Sequence, residues 1–213
     1  MPTYRKKRKF EKGIDSRYAS MIIIATEGQK TEQRYFNIIK ERYRNSRVCV
    51  EVIPSEEGRS SPDHIIDNLN RFRDGNEFDS ERDEFWLMID KDKWHIDNLT
   101  RVTQAAFQKG YNLAVSNPCF ECWLYLHFKS IDSDRISGRE MEKMLKKAAG
   151  GYKKPNVESH KYKDRIIDAI GRAKVIDTDP TERWPNRVGT HVYKVVEKCI
   201  GGRHENQSVG RIP

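Results

Sequence analysis

The chain has 213 residues, a hydrophobic content of 36%, a charged content of 34% and a formal net charge of +8 at pH 7. No apolar run approaches the roughly 20 residues that a membrane helix needs, and no signal-peptide pattern follows the basic first residues, so we expect a cytoplasmic protein. In such a chain the four cysteines are more typical of free thiols than of disulfides.

Four apolar segments with the length and pattern of β-strands occupy residues 20–28, 47–54, 84–90 and 111–117. Each predicted strand is followed by a segment with helical spacing, at residues 31–44, 62–72, 96–110 and 118–128. Ser61 and Asn117 are predicted to cap the second and fourth helices, and a proline follows each of them at the first helical position. The fourth helix is apolar on nearly every face, which predicts that it is buried.

These strand–helix units predict the fold class. Parallel strands need crossover connections, and consecutive units of this kind build a parallel sheet with helices on both faces, so we predict an α/β fold. Three further helices are predicted at residues 136–150, 159–177 and 186–200. We divide the chain into a basic N-terminal tail at 1–19, an α/β core at 20–135 and a basic helical C-terminal region at 136–213.

Acidic residues follow three of the predicted strands, at the edge where open α/β sheets bind ligands. Glu27 follows the first strand, Asp90 and Asp92 follow the third, and Glu121 lies just past the fourth. Residues i and i+2 of an extended segment face the same side, so Asp90 and Asp92 are expected to present their carboxylates together. Because close carboxylates repel unless a cation intervenes, Glu27, Asp90 and Asp92 are predicted to bind one or two Mg²⁺ or Mn²⁺ ions. The alternative is that the strand simply meets solvent there.

Five basic or aromatic residues cluster at the same predicted edge, namely Lys30, Lys91, Lys93, Trp94 and His95. As a functional set, the lysines would contact phosphate oxygens, the tryptophan would stack on a base and the histidine would carry a proton. The alternative is that the lysines form ordinary surface ion pairs and that Trp94 covers the core.

The positive charge is concentrated towards the ends of the chain. Residues 1–19 hold seven Lys or Arg against two acidic residues, and residues 139–174 hold eleven against five. This distribution suits a polyanionic partner, so we predict nucleic-acid contacts from Lys146, Lys147, Lys153 and Lys154. The alternative is a solvated lysine-rich face that binds no partner.

The order of the acidic motifs resembles a known metal-binding module. A glutamate after the first strand and Asp-x-Asp after the third are similar to the Toprim arrangement of topoisomerases, primases and several nucleases. A closer resemblance, over about residues 20–200, is to the RloB-like family, Toprim-like proteins associated with bacterial restriction and antiphage loci. It is carried by residues 22–36 (IIIATEGQKTEQRYF), 85–92 (FWLMIDKD) and 116–128 (SNPCFECWLYLHF), followed by a basic helical tail.

This resemblance implies a Toprim-like fold, Mg²⁺-dependent phosphodiester chemistry and a place in a defence locus with a partner ATPase or restriction enzyme. It assigns the family's acidic constellation to Glu27, Asp90 and Asp92, and the basic residue of its E-G-x-K-T-E element to Lys30. It assigns the N-P-x-F-E element to Asn117, Pro118, Phe120 and Glu121. Glu121 would then be catalytic, whereas the alternative for a carboxylate in a first helical turn is to complement the helix dipole.

The C-x-x-C pair Cys119 and Cys122 departs from the family pattern, in which a larger apolar residue is expected at the second cysteine. A structural zinc site needs four ligands, and the other two cysteines, Cys49 and Cys199, stand alone. We expect Cys119 and Cys122 to act as small apolar residues on a buried helix.

The sequence favours a Mg²⁺-dependent nuclease, or a related phosphoryl-transfer enzyme, that acts on DNA or RNA. One alternative is a non-catalytic nucleic-acid-binding subunit of a defence complex. Another is a phosphatase with an aspartyl nucleophile, although its Asp-x-Asp motif normally follows the first strand. The chain has no Walker loop, so any ATP-driven step would belong to a partner. Assembly into a homo-oligomer stays open.

Overall fold

The structure is a computed structural model that describes residues 19–43, 48–55 and 61–201. The predicted N-terminal tail lies outside the described residues, except for Ala19. Within the described ranges the elements are β1 (Ser20–Thr26), α1 (Thr31–Arg42), β2 (Val48–Ile53), α2 (Pro62–Asp74), β3 (Glu84–Asp90), α3 (Ile96–Gln108), β4 (Asn112–Asn117), α4 (Glu121–Leu126), α5 (Gly138–Ala148), α6 (Ser159–Tyr162), α7 (Ile166–Ile176), β5 (Gly189–Thr190) and α8 (Val192–Ile200).

The strands form one five-stranded sheet in the order β2-β1-β3-β4-β5. The first four strands in the chain are parallel, and the short β5 pairs antiparallel with β4 at the edge. This arrangement confirms the predicted α/β fold with a mostly parallel sheet. Because β1, β3 and β4 are adjacent and parallel, their carboxyl ends meet at one edge.

Helices cover both faces of the sheet, and each face has its own hydrophobic core. Successive residues of β1 alternate between the two cores, as the pleat requires. Ile22 and Ile24 pack into the larger core, which includes residues of α1, α4, α5, α7 and α8. Met21 and Ile23 pack into the smaller core, which includes residues of α2 and α3.

The two predicted helix caps have different outcomes. Ser61 is the N-cap of α2 as predicted, but its hydroxyl makes no capping hydrogen bond and lies 3.0 Å from His64 Nδ1. The prediction for Asn117 is wrong. Its side-chain amide instead donates to the carbonyl oxygens of Pro185 (3.0 Å) and Arg187 (2.8 Å), which ties β4 to the loop before β5.

Helix α4 begins at Glu121, three residues later than predicted. The preceding residues form a loop that is hydrogen-bonded to the end of β3 and the residues after it. Pro118 O accepts a hydrogen bond from Asp92 N at 3.1 Å, and Phe120 N donates to Asp90 Oδ1 at 2.8 Å. All six residues of α4 are buried, which confirms the prediction from its apolar pattern.

The C-terminal region is joined closely to the sheet. The helix predicted at 159–177 is interrupted and forms α6 and α7, while β5 precedes α8 inside the segment predicted as one helix. Thr190 Oγ1 lies 2.8 Å from Ser116 Oγ of β4, and His191 N donates to Val115 O at 2.9 Å. No helix in the described ranges is long and apolar enough to cross a membrane.

Candidate active site

A cleft of about 520 Å³ lies at the edge where β1, β3 and β4 end. Four carboxylates and three lysines contribute to its wall. The lining residues are Glu27, Gly28, Gln29, Lys30, Thr31, Glu32, Asp90, Lys93, Phe120, Glu121, Lys154 and Pro155. The cleft therefore contains three of the four acidic residues predicted for the site, together with Glu32.

Glu27 is fixed by hydrogen bonds at the point where β1 ends. Its backbone N–H donates to Met88 O at 3.2 Å and so extends the pairing with β3. Its Oε2 accepts from Asp90 N (3.1 Å) and from the indole Nε1 of Trp94 (3.0 Å). Glu27 is only 4% exposed, so these donors replace the water that its carboxylate loses on burial.

The Lys93 ammonium lies between two buried carboxylates. Its Nζ is 2.8 Å from Glu27 Oε1 and 3.0 Å from Asp90 Oδ2. Burial, followed by the charge of Glu27, raises the pKa of Asp90 well above its usual value, and Lys93 opposes this effect only in part. Burial lowers the pKa of Lys93, but the charges of Asp90 and Glu27 outweigh it, so its pKa is raised. Glu27 and Asp90 therefore converge on one cation position.

Asp92 does not join this pair. The strand ends at Asp90, and the chain turns over the next residues, so the expected i, i+2 alternation does not extend to Asp92. Asp92 is exposed, and its carboxylate lies against Gly138, so that a Cβ at Gly138 would require the Asp92 side chain to move. Its partial burial, and then the charges of Glu27 and Glu121, raise its pKa although Lys93 lowers it. The role of Asp92 as a metal ligand stays a prediction.

Glu121 also lines the cleft, in contact with the loop between α5 and α6. Its Oε1 accepts from Tyr152 OH at 2.9 Å and lies 2.7 Å from Lys154 Nζ. Burial raises the pKa of Glu121, but the Lys154 charge and hydrogen bonds from Lys154, Cys119 and Tyr152 outweigh burial and lower it. Lys154, predicted to contact nucleic acid, is thus paired with a carboxylate in the cleft.

Glu32 is a cleft residue that the sequence analysis missed. It is 5% exposed, and no other part of the described chain provides a hydrogen-bond partner for its Oε2. Burial raises its pKa, and a backbone hydrogen bond opposes this only in part. Its carboxylate packs against Gly28, so that a side chain at Gly28 would collide with it. The available signal was the second glutamate of the E-G-x-K-T-E element.

Of the remaining residues predicted for this edge, two belong to the site and two do not. Lys30 lines the cleft, whereas Lys91 Nζ donates to Pro185 O at 3.3 Å, away from the carboxylates. Trp94 uses its indole N–H on Glu27, as described above. His95 is exposed at the N-cap of α3, with its Nδ1 3.2 Å from Asp97 Oδ2. Three lysines of the basic region are exposed and outside the cleft lining: Lys146, Lys147 and Lys153.

The carboxylates of the cleft fit a hard divalent cation. Mg²⁺ is usually bound by one or two carboxylates, with water and substrate phosphate completing its octahedron. Glu27 and Asp90 supply two carboxylates that already share one cation position. No three His, Cys, Asp or Glu side chains in the described ranges are grouped to hold an ion, so a metal there would depend on water or substrate oxygens.

The C-x-x-C pair has a different environment. Cys119 and Cys122 are both buried free thiols, the second within α4 and the first just before it. Burial raises the pKa of both thiols, and nearby carboxylates raise them further. Because zinc binds thiolates, this environment disfavours the pair as zinc ligands.

The fold and the cleft together define an α/β protein with an acidic, lysine-lined site at the carboxyl edge of a mostly parallel sheet. The chain matches the family model described as RloB-like protein over residues 22–199, and it therefore belongs to the RloB-like family. This confirms the resemblance drawn from the sequence motifs. Searches of curated proteins and of solved structures found no match.

Proposed function

We propose that this RloB-like protein is a Mg²⁺- or Mn²⁺-dependent phosphoryl-transfer enzyme acting on nucleic acid, in the simplest case a nuclease in bacterial antiphage defence. The observation that carries the proposal is the convergence of the buried Glu27 and Asp90 carboxylates on one cation position. The edge at which they meet is where open α/β sheets bind ligands. A partner ATPase or restriction enzyme would supply any energy-driven step.

In this proposal Glu27 and Asp90 would hold the metal. A bound divalent ion supplies a water of lowered pKa and offsets the charge that develops on a phosphate. Trp94 and the Asp90 N–H keep the Glu27 carboxylate oriented, and Phe120 N does the same for Asp90. Lys30 lines the cleft and would contact phosphate oxygens.

Cleavage assays with point variants test the proposal. The purified protein would be incubated with labelled single- and double-stranded DNA and RNA in Mg²⁺, in Mn²⁺ and in EDTA. We expect cleavage only with metal, and its loss in Glu27→Gln and Asp90→Asn. Asp97→Asn is the matched control, because Asp97 is an exposed carboxylate outside the cleft lining. Cleavage in EDTA, or full activity of Asp90→Asn, would contradict the proposal.

A second candidate is a non-catalytic nucleic-acid-binding subunit of a defence complex. One observation favours it: Lys93 and Lys154 pair with Glu27, Asp90 and Glu121, so each of these carboxylates already has a cationic partner within the chain. Under this alternative the cleft carboxylates stabilise the fold, and nucleic acid binds to exposed lysines. Tight nucleic-acid binding in EDTA, with neither Mn²⁺ binding nor cleavage, would support it over the enzyme.

A further inference from the structure

A second pocket of about 520 Å³ lies past the carboxyl end of α4, whereas the carboxylate cleft lies at the amino end of the same helix. Glu121 opens α4 in the cleft, and Phe128 and Lys129 follow the end of that helix in the second pocket. At about 1.5 Å per helical residue, the two positions are about 10 Å apart along the helix. We call this the basic pocket; it is lined by Phe128, Lys129, Ala148, Ala149, Gly150, His160, Lys161 and Arg165.

Three side chains that are positively charged at neutral pH line the basic pocket, and they come from three separate segments. Lys129 follows α4, Lys161 belongs to α6, and Arg165 is the N-cap of α7. The Arg165 guanidinium lies over the Phe128 ring, 5.4 Å from its centroid. Such stacking orients a guanidinium without neutralising its charge. The fold therefore places these charges in one concavity although 36 positions separate Lys129 from Arg165.

The charges of the basic pocket are only partly balanced. Glu158 Oε1 lies 2.8 Å from Lys161 Nζ, and its other oxygen lies 3.9 Å from His160 Nε2. In the part of the chain that the structure describes, neither Lys129 nor Arg165 forms an ion pair, and no acidic residue lines the pocket. Counting Glu158 against the three cations leaves a formal excess of two positive charges.

The floor of the basic pocket leaves room for a ligand. It is made of Ala148, Ala149 and Gly150, and Gly150 has φ +62 with open space around the position of a Cβ. This floor is the carboxyl end of α5, whose dipole by itself disfavours an anion. That effect is reduced because Gly151 N donates to Lys146 O, one of the last carbonyls of α5, at 2.8 Å. The Lys161 ammonium lies near the same end of the helix and donates to Gly151 O at 3.2 Å.

We propose that the basic pocket binds a phosphate group through Lys129, Lys161 and Arg165. An Arg fork and two ammonium groups in one concavity are suited to the several oxygens of a phosphate. We assign that phosphate to the backbone of the nucleic acid whose reacting phosphate lies in the cleft, and this assignment rests on the proposed function. The ends of α4 are close enough together that one strand, at a rise of about 3.4 Å per nucleotide, can reach both sites.

Two binding measurements test the basic pocket, both in EDTA so that no cleavage occurs. Inorganic phosphate is titrated by calorimetry, and a labelled oligonucleotide is titrated by fluorescence anisotropy at several salt concentrations. The variants are Lys129→Gln and Arg165→Gln. The matched control is Lys109→Gln, because Lys109 is the exposed C-cap residue of α3, on the other face of the sheet.

We expect each pocket variant to weaken phosphate binding. Each should also make the negative slope of log affinity against log salt shallower by about 0.7–0.9, because one phosphate contact is lost. At 0.1 M salt this change corresponds to an oligonucleotide affinity that is about five- to eightfold weaker. Lys109→Gln should leave both measurements unchanged. Lys129 is exposed, so its replacement is not expected to disturb folding.

The outcomes separate this inference from the proposed function. If the pocket variants weaken phosphate binding but not oligonucleotide binding, the pocket takes a free phosphate or nucleotide, and the assignment to the backbone is wrong. If the oligonucleotide binds with the same slope in all proteins and phosphate binding does not depend on the pocket, the inference is wrong while the proposed function stands. If no oligonucleotide binds but phosphate binding needs Lys129 and Arg165, the basic pocket is a phosphate site. The proposal that the protein acts on nucleic acid is then wrong.

Discussion

Replacing Lys93 with Gln should strengthen Mn²⁺ binding while it destabilises the metal-free protein. The Lys93 ammonium occupies the position on which the Glu27 and Asp90 carboxylates converge, at 2.8 Å and 3.0 Å. A metal ion bound by the same two carboxylates must displace it. Removing the ammonium therefore removes a competitor for the metal, and it also leaves two buried carboxylates without their cation.

The size of this effect follows from the exposure of Lys93. Its side chain is 49% exposed, so each of its two ion pairs is screened and contributes about 0.5–1 kcal/mol. Losing about 1–2 kcal/mol of competition corresponds to about five- to thirtyfold tighter Mn²⁺ binding. For a chain of this size, the same loss should lower the Tm in EDTA by about 2–8 °C.

Calorimetric titration with Mn²⁺ and thermal unfolding in EDTA measure the two effects. Lys91→Gln is the matched control: it removes the same charge two positions away, from a side chain that donates to Pro185 O instead of a carboxylate. Added Mn²⁺ should raise the Tm of Lys93→Gln more than that of the wild type. Unchanged or weaker Mn²⁺ affinity in Lys93→Gln would refute the shared cation position.

Three further substitutions test other parts of the structure. Burial lowers the pKa of His127 from 6.5 to about 3, so the unfolded state binds more protons and stability falls as the pH drops below 6.5. Between pH 7 and pH 5 the His127→Gln variant should lose about 2 kcal/mol less of its free energy of unfolding than the wild type does, as measured by urea unfolding. The same pH dependence of stability in both proteins would count against this. Lys154→Gln should raise the pKa of Glu121, because its strongest opposing charge is gone; carboxyl NMR titration would detect this, and a constant pKa would exclude the ion pair. Gly28→Ala should lower the free energy of unfolding by about 1 kcal/mol, because the buried Glu32 carboxylate must move away from the new methyl group. The loss should be smaller in a Glu32→Ala background, as denaturant unfolding would show.

The parallel strands of the sheet could be predicted because each is encoded by a local run of apolar residues. The apolar run of β3 matches its observed bounds, 84–90, and this strand lies at the centre of the sheet with neighbours on both sides. Burial on both faces requires an almost continuous run of apolar residues, which the sequence displays directly. The order of strands and helices along the chain then restricts the topology, since parallel neighbours need crossovers.

The parts that the sequence did not predict depend on contacts between distant residues. β5 has two residues and exists through its pairing with β4, which no local pattern indicates. Tyr152 and Lys154 reach Glu121 from a loop whose sequence indicates only a turn. Lys93 binds Glu27 across 66 positions. Propensity and periodicity describe neighbours along the chain, so they identify the carboxylates but not their partners.

Asp90 and Asp92 show how the end of a strand decides which carboxylates can share a metal. The pairing of β3 with β4 ends where Asp90 faces Ser116, and beyond it Asp92 N donates to Pro118 O at 3.1 Å as the chain turns. Alternation between faces holds only while the backbone stays extended, so Asp90 lines the cleft and Asp92 lies against Gly138. In this arrangement Glu27 and Asp90 would hold the metal, and Asp92 would contribute mainly its charge. We therefore expect Asp92→Asn to weaken Mn²⁺ binding less than Asp90→Asn does in calorimetric titration, and an equal loss would indicate that Asp92 binds the metal directly.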